Sequence, residues 1–148
     1  MARLKTQLEA AGAEYLVLGH LLRRKIQSFI CSQNFEDYDI VATNPEKNKS
    51  LKIQVKSRFR VSATGFPIKK FGSDIVIFVR LNCGRVKKKQ PTYTYEKEPE
   101  FYIFPTELCL KVQNDSLKNK WGKISIKRIQ DYEKYYNNWD VIKNRLEL

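Results

Sequence analysis

Residues 51–57 read Leu-Lys-Ile-Gln-Val-Lys-Ser, and residues 38–42 read Tyr-Asp-Ile-Val-Ala. The first of these stretches alternates between apolar and polar side chains, which is the pattern of a β-strand with one buried face. Between the two stretches, residues 44–49 (Asn-Pro-Glu-Lys-Asn-Lys) are rich in turn formers. The pattern therefore predicts two antiparallel strands that are joined by a turn.

This predicted hairpin brings three polar residues together. Because residues two apart in a strand share a face, Gln54 and Lys56 lie on one face of the second strand. Antiparallel pairing places Asp39 of the first strand close to both of them. Carboxylate and amide oxygens are ligands that suit Mg²⁺, and the Val55 carbonyl is a further candidate ligand. Lys56 could orient or deprotonate a water, or stabilise negative charge on a phosphate.

The rest of the chain predicts helices packed on a mixed sheet. Apolar residues recur every three or four positions from about Arg3 to Ile26, which indicates an amphipathic helix that includes Glu14. The apolar stretch 74–81 is typical of a strand buried on both faces. This order of elements predicts an α/β fold, an α+β mixed sheet flanked by helices, in a single domain over residues 1–148. Further strands are predicted at 27–32, 101–104 and 123–126, and helices at 106–112 and 130–146, the last broken near 137–138.

Composition narrows the class of protein. The chain has 148 residues, of which 42% are hydrophobic, so it can bury one core and is too apolar to be disordered. No apolar stretch approaches the roughly 20 residues of a membrane-spanning helix, and we expect no signal peptide. The three cysteines form no CxxC pair, so we expect no zinc site, no disulfide framework and a cytoplasmic location. With one histidine in the chain, catalysis would depend on carboxylates, lysines and a bound metal.

The charge of the chain predicts a polyanionic partner. The net charge is +12, and residues 56–89 hold ten basic side chains against one acidic side chain. Such an excess is typical of proteins that bind nucleic acid, and an anionic membrane surface is the second partner class. The candidate contacts to DNA phosphates are Lys56, Arg58, Arg60, Lys69, Lys70, Arg85, Lys87, Lys88 and Lys89.

Three segments of the chain resemble the PD-(D/E)xK nuclease superfamily. They are residues 12–17 (Gly-Ala-Glu-Tyr-Leu-Val), 38–41 (Tyr-Asp-Ile-Val) and 53–57 (Ile-Gln-Val-Lys-Ser). The resemblance is greatest to its small homing-endonuclease-like and resolvase-like single-domain members, and it covers about the first half of the chain. It implies a restriction-endonuclease-like core and the cleavage of nucleic-acid phosphodiester bonds with Mg²⁺ as the cofactor, or with Mn²⁺ in its place.

The resemblance also implies the site residues. Glu14 matches the helix glutamate of many members, Asp39 the motif aspartate and Lys56 the motif lysine, whereas Gln54 stands where Asp or Glu is usual. The implied catalytic residues are therefore Glu14, Asp39, Gln54 and Lys56, with Glu14, Asp39 and Gln54 as metal ligands. Because an amide carries no charge, Gln54 should weaken the binding of Mg²⁺. The implied function is a Mg²⁺-dependent endonuclease of DNA, which would cut both strands as a homodimer or a higher symmetric oligomer.

Two other functions fit the same residues. In the first, the fold is a non-catalytic nucleic-acid-binding module, and Gln54 is the trace of a lost metal site. In the second, the protein is an immunity or regulatory protein whose basic face meets an acidic protein. Gln54 and Lys56 also fit the ordinary solvent face of a hairpin. Metal binding and the nicking of supercoiled plasmid distinguish these alternatives.

Overall fold

The computed structural model of the protein describes residues 2–32, 37–87, 90–93, 97–115 and 122–148. Within these ranges, seven strands lie between the first and the second α-helix. The α-helices are α1 (Ala2–Arg23), α2 (Thr106–Asp115) and α3 (Asp140–Leu146). The strands are β1 (Gln27–Ile30), β2 (Ile40–Asn44), β3 (Lys49–Arg60), β4 (Gly65–Pro67), β5 (Ile75–Lys87), β6 (Gln90–Tyr93), β7 (Glu100–Pro105) and β8 (Lys123–Ser125). No helix in these ranges is long and apolar enough to cross a membrane.

Six strands form one mixed sheet. Its order is β1-β2-β3-β5, and β5 then pairs with β7 along its first half and with β6 along its second half. The β3–β5 pair is parallel and the other pairs are antiparallel. β4 and β8 form a separate two-stranded sheet. The predicted α+β mixed sheet flanked by helices is thereby confirmed.

An apolar core lies on each side of the sheet. α1 and α3 cover one side, where Val17 and Ile142 pack in the same cluster as Ile53 and Ile77. α2, β4 and β8 cover the other side, where Phe78 packs in a second cluster. Successive residues of β5 therefore enter different cores, which explains its nearly continuous apolar sequence. Burying a side chain of this size contributes about 1.5–3 kcal/mol, so each helix is held mainly by its packing.

The β2–β3 hairpin has the predicted antiparallel pairing, with Ile40 opposite Ile53 and Asn44 opposite Lys49. A single 3₁₀ turn at Pro45–Lys47 connects the strands, and Asn48 closes it in the left-handed conformation (φ +52°). Asparagine adopts this conformation more readily than most residues. The sequence of the turn thus fixes the register between β2 and β3, the two strands that position Asp39, Gln54 and Lys56.

The structure differs from the predicted elements at three places. The helix predicted over 130–146 is wrong in its first part, which contains a 3₁₀ helix at Tyr132–Tyr135 before α3 begins. Asp131 (φ +55°) and Asn137 (φ +49°) have left-handed backbones, which interrupt an α-helix. β4 and β6 were not predicted, and β4 has only three residues and pairs with β8, which follows much later in the chain.

Candidate active site

Asp39 precedes β2 by one residue, and its neighbours fix it firmly. Its backbone N–H donates to the Ile53 carbonyl at 2.8 Å, and its carbonyl accepts from the Cys31 N–H at 2.8 Å. Its carboxylate Oδ2 accepts the Val55 N–H at 2.7 Å. The Asp39 carboxylate therefore lies against β3 at Val55, which is the residue between Gln54 and Lys56.

Glu14 reaches this carboxylate from α1. The helix is positioned by Ala13 and Val17, which are fully buried in the core on that side of the sheet. Burial, the charge of Asp39 and a hydrogen bond to the Asp39 carboxylate raise the pKa of Glu14 to about 7. Burial also raises the pKa of Asp39, although the Val55 N–H, the charge of Lys56 and the Glu14 hydrogen bond act in the opposite direction. The two carboxyl groups therefore form a pair that shares a proton near neutral pH.

Lys56 interacts with this pair of carboxyl groups, and Gln54 is two residues before it on β3. Burial lowers the pKa of the Lys56 ammonium, and the charge of the nearby Asp39 opposes this effect. The Asp39 carboxylate and the Lys56 ammonium thus interact, as strand alternation predicts. The Gln54 side chain is 6% exposed, and its Oε1 has no hydrogen-bond partner among the described residues. The structure therefore brings Glu14, Asp39 and Lys56 together, and it leaves a buried amide oxygen on the neighbouring position of β3.

These groups fit a divalent cation. A buried oxygen without a partner costs about 1–3 kcal/mol, which a bound cation would recover. A cation would also replace the proton that Glu14 and Asp39 share. The described residues contain no cluster of three or more His, Cys, Asp or Glu side chains that could hold a metal. The donor set is thus two carboxyl groups and one amide, all of them oxygen donors of the kind that Mg²⁺ prefers.

The predicted phosphate contacts lie on several elements. Alternation places Lys56, Arg58 and Arg60 on one face of β3, although the pairing with β5 is irregular between Arg58 and Arg60. Lys69 and Lys70 lie between β4 and β5. Arg85 and Lys87 belong to β5, and Lys88 and Lys89 lie outside the described residues.

Arg80, which adds to the basic stretch of the sequence, serves a structural role. Its side chain is buried, and its Nε donates to the Ala63 carbonyl at 2.8 Å. Its terminal amino group contacts the Glu100 carboxylate at 3.3 Å. Arg80 is therefore paired within the protein, and it is one of the ten basic residues counted in residues 56–89.

Sequence reasoning missed a groove that begins at Lys56. It has a volume of about 580 Å³ and lies between α1 and β3, and Lys5 and Thr6 of α1 line it together with Arg58. Nothing in the sequence marks Lys5 or Thr6, because the side chains of a helix point in every direction around its axis. Their position follows from how α1 packs on the sheet.

No family model and no curated protein matches the sequence. The fold, however, is similar to that of a solved structure. The structure of a bacterial homing endonuclease, I-Ssp6803I, is similar to this chain with a TM-score of 0.59 and 17% sequence identity, over 94% of this chain and 93% of that chain. A likeness at this identity shows a shared fold, and it extends over both halves of the chain, whereas the resemblance in sequence covered only the first half.

Proposed function

We propose that the protein is a divalent-metal-dependent endonuclease that hydrolyses DNA phosphodiester bonds, of the PD-(D/E)xK type. The observation that carries the proposal is the proton-sharing pair of Glu14 and Asp39, which lies beside the half-buried ammonium of Lys56. Groups with perturbed pKa values and a specific charge partner are concentrated at functional sites. The fold shared with a homing endonuclease and the net charge of +12 support DNA as the substrate.

Each residue of the site has a separate role in this proposal. Glu14, Asp39 and the Gln54 Oε1 would hold Mg²⁺, or Mn²⁺ in its place. When bound, the cation would act as a Lewis acid that neutralises the charge developing on the phosphate. Lys56 would hold the attacking water by a hydrogen bond, and its lowered pKa makes the neutral amine more accessible as a proton acceptor. The water oxygen would form a bond to phosphorus while the bond to the leaving oxygen breaks.

A non-catalytic nucleic-acid-binding module is the second candidate, and Gln54 is the observation that favours it. A third carboxylate at this position would give the cation a more negative set of ligands than the neutral amide does. If the site has lost its metal, the fold and the basic surface would still bind DNA. The two candidates differ in whether the bound DNA is cut.

Nicking of supercoiled plasmid tests the proposal. We expect nicking with Mg²⁺ or Mn²⁺ that is abolished by chelation and by Asp39→Asn, which keeps the shape of the side chain. Asp74→Asn is the matched control, because the Asp74 carboxylate accepts the Lys52 N–H at 2.8 Å on the same sheet but lies outside the candidate site. DNA binding without nicking in any divalent metal would reject the endonuclease and support the binding module.

The basic residues and the oligomeric state also belong to this proposal. Neutralised phosphates release counterions, so the logarithm of the affinity should fall with the logarithm of the salt concentration by about 0.9 per contact on duplex DNA. Reversing Lys69 and Lys70 to Glu should flatten this slope. One site cuts one strand, so we propose a homodimer for double-strand cleavage, which light scattering of the protein in solution would measure. We also propose that it acts in the cytoplasm.

A further inference from the structure

The groove that begins at Lys56 extends away from Glu14 and Asp39. It runs between the first half of α1 and β3, and Lys56 is the residue of the candidate site among the described residues that line it. Its volume of about 580 Å³ falls within the range of roughly 300–1,000 Å³ that ligand sites occupy. A molecule that reaches Lys56 from this side would therefore occupy the groove.

Both walls of the groove carry cationic and hydroxyl groups. Lys5 and Thr6 contribute from α1, and Ser57 and Arg58 contribute from β3. The Arg58 Nε donates to the Gly65 carbonyl at 3.1 Å, which holds the guanidinium group at the wall of the groove. This bond uses one of five N–H donors, and a guanidinium fixed in this way loses less conformational entropy when it binds a phosphate.

Another part of the lining is apolar and rigid. Phe59, Phe66 and Pro67 lie there, and the fully buried Phe66 ring stacks on Phe78 with their centroids 5.2 Å apart. Among the described lining residues, the three cations outnumber the acid Glu9 by two charges. A groove lined by cations, hydroxyl groups and apolar carbons matches a sugar-phosphate unit.

We propose that this groove binds the DNA nucleotide next to the cleaved bond, and that Lys5 and Arg58 contact its phosphate. This inference rests on the proposed endonuclease function. Successive nucleotides of a strand rise by about 3.4 Å along the duplex axis. Since the groove extends from Lys56 to Lys5 and Arg58, it lies where the strand would continue from a phosphate at Lys56. Contacts of this kind fix the register of the duplex without reading its bases. Lys5 is then a positioning residue that no sequence motif identifies.

The first test measures duplex binding against salt concentration without divalent metal. We expect Lys5→Ala to reduce the magnitude of the log–log slope by about 0.9, and Lys5→Arg to restore it. Lys111→Ala is the matched control, since Lys111 is an exposed lysine of α2 that does not line the groove. An unchanged slope for Lys5→Ala, or an equal change for Lys111→Ala, would overturn the proposal.

The second test locates the contact. Once the nick is mapped, duplexes that carry one uncharged methylphosphonate at each neighbouring phosphate are bound to wild type and to the Lys5→Ala/Arg58→Met variant. We expect one position to weaken the wild type and to leave the double variant unchanged. Equal losses in both proteins, or no loss at any neighbouring position, would overturn the inference while nicking by the wild type upholds the endonuclease. If the wild type binds DNA without nicking it, the endonuclease proposal fails. The salt slope of Lys5→Ala then still shows whether the groove contacts a DNA phosphate.

Discussion

Two partly buried polar clusters lie at the same sheet, and burial and neighbouring charges shift the pKa values of their acids in opposite directions. The Arg80 cluster consists of Arg80, Asn82, Lys97 and Glu100. The Glu100 carboxylate receives Arg80 at 3.3 Å, the Asn82 amide at 3.0 Å and the Lys97 ammonium at 3.0 Å. Burial alone would raise the pKa of Glu100, but these donors lower it. The cluster thus supplies its own compensating charge.

In the candidate site, burial outweighs the compensation that neighbouring groups provide. Burial and mutual repulsion raise the pKa of Glu14 to about 7, burial raises the pKa of Asp39, and burial lowers the pKa of Lys56. The shifts of the two carboxyl groups disfavour the charged forms that metal binding would use, whereas the shift of Lys56 favours the neutral amine that the proposed mechanism uses as a proton acceptor. In the candidate site burial outweighs the stabilisation that these groups give one another, and groups perturbed in this way are concentrated at functional sites.

The comparison also shows which signal is informative. Each cluster holds one buried amide oxygen without a partner among the described residues, the Gln54 Oε1 and the Asn82 Oδ1. An unsatisfied oxygen therefore does not distinguish a functional site from a structural one in this protein. The direction of the carboxyl pKa shifts does, since it reports whether nearby donors and cations outweigh the effect of burial.

The largest expected effect comes from removing one cation from each cluster. Lys56→Met should lower the nicking rate by at least about 100-fold, because it removes the group that holds the attacking water in the proposed mechanism. Its stability in urea should change little, since the Lys56 ammonium is already disfavoured by burial. Arg80→Met should leave the nicking rate of the folded protein unchanged and lower its stability. If both variants lose stability and activity together, the distinction between a functional site and a structural Arg80 cluster is contradicted.

A smaller effect is expected from removing the acid of the Arg80 cluster. Glu100→Ala leaves Arg80 buried without its partner, which should lower the free energy of unfolding by about 3 kcal/mol. Glu147→Ala is the matched control, because Glu147 pairs with Lys49 at 3.6 Å on the surface. That pair should contribute less than about 1 kcal/mol. Urea unfolding measures both, and equal losses would show that the Arg80 cluster is no more than a surface pair.

The sequence predicted the half of the candidate site that local pairing determines. Alternation along β3 and the turn before it were enough to predict the interaction of Asp39 with Lys56, because a hairpin fixes its own register. The role of Gln54 stays a prediction. The place of Glu14 came from the resemblance alone, since no pattern in α1 states which face of the sheet the helix covers. Arg80 was counted with the basic stretch because its partner Glu100 lies twenty residues later, in β7.

Adding a carboxylate at each of the two unpartnered amides tests whether only the candidate site binds metal. Gln54→Glu adds an anionic oxygen of nearly the same length beside Glu14 and Asp39, so Mg²⁺ should bind about tenfold more tightly. Asn82→Asp is the matched control, and it should create no metal site because the cations of its own cluster already compensate the acids. Calorimetric titration with Mg²⁺ measures both variants. Unchanged or weaker binding by Gln54→Glu would contradict the role of Gln54 as a ligand.

The smallest effect concerns the stability of the metal-free protein between pH 4.5 and 7. Glu14 titrates near 4.5 when unfolded and near 7 when folded, so the folded state binds more protons in this range and the free energy of unfolding falls as pH rises. The raised pKa of Asp39 acts with the same sign. Glu100 acts with the opposite sign, because its lowered pKa gives stability that is lost when the solution becomes more acidic.

Glu14→Gln should therefore flatten the descent towards neutral pH, and Glu100→Gln should flatten only the loss on the acid side. His20 also titrates in this range, and burial together with Arg24 and Arg23 lowers its pKa, so its contribution rises with pH. The difference between each variant and the wild type removes that contribution, because all three proteins retain His20. Urea unfolding at several pH values without metal gives both differences. A Glu14→Gln profile that runs parallel to the wild type from pH 5 to 7 would mean that the carboxyl pair does not share a proton, and the contrast between the two clusters would disappear.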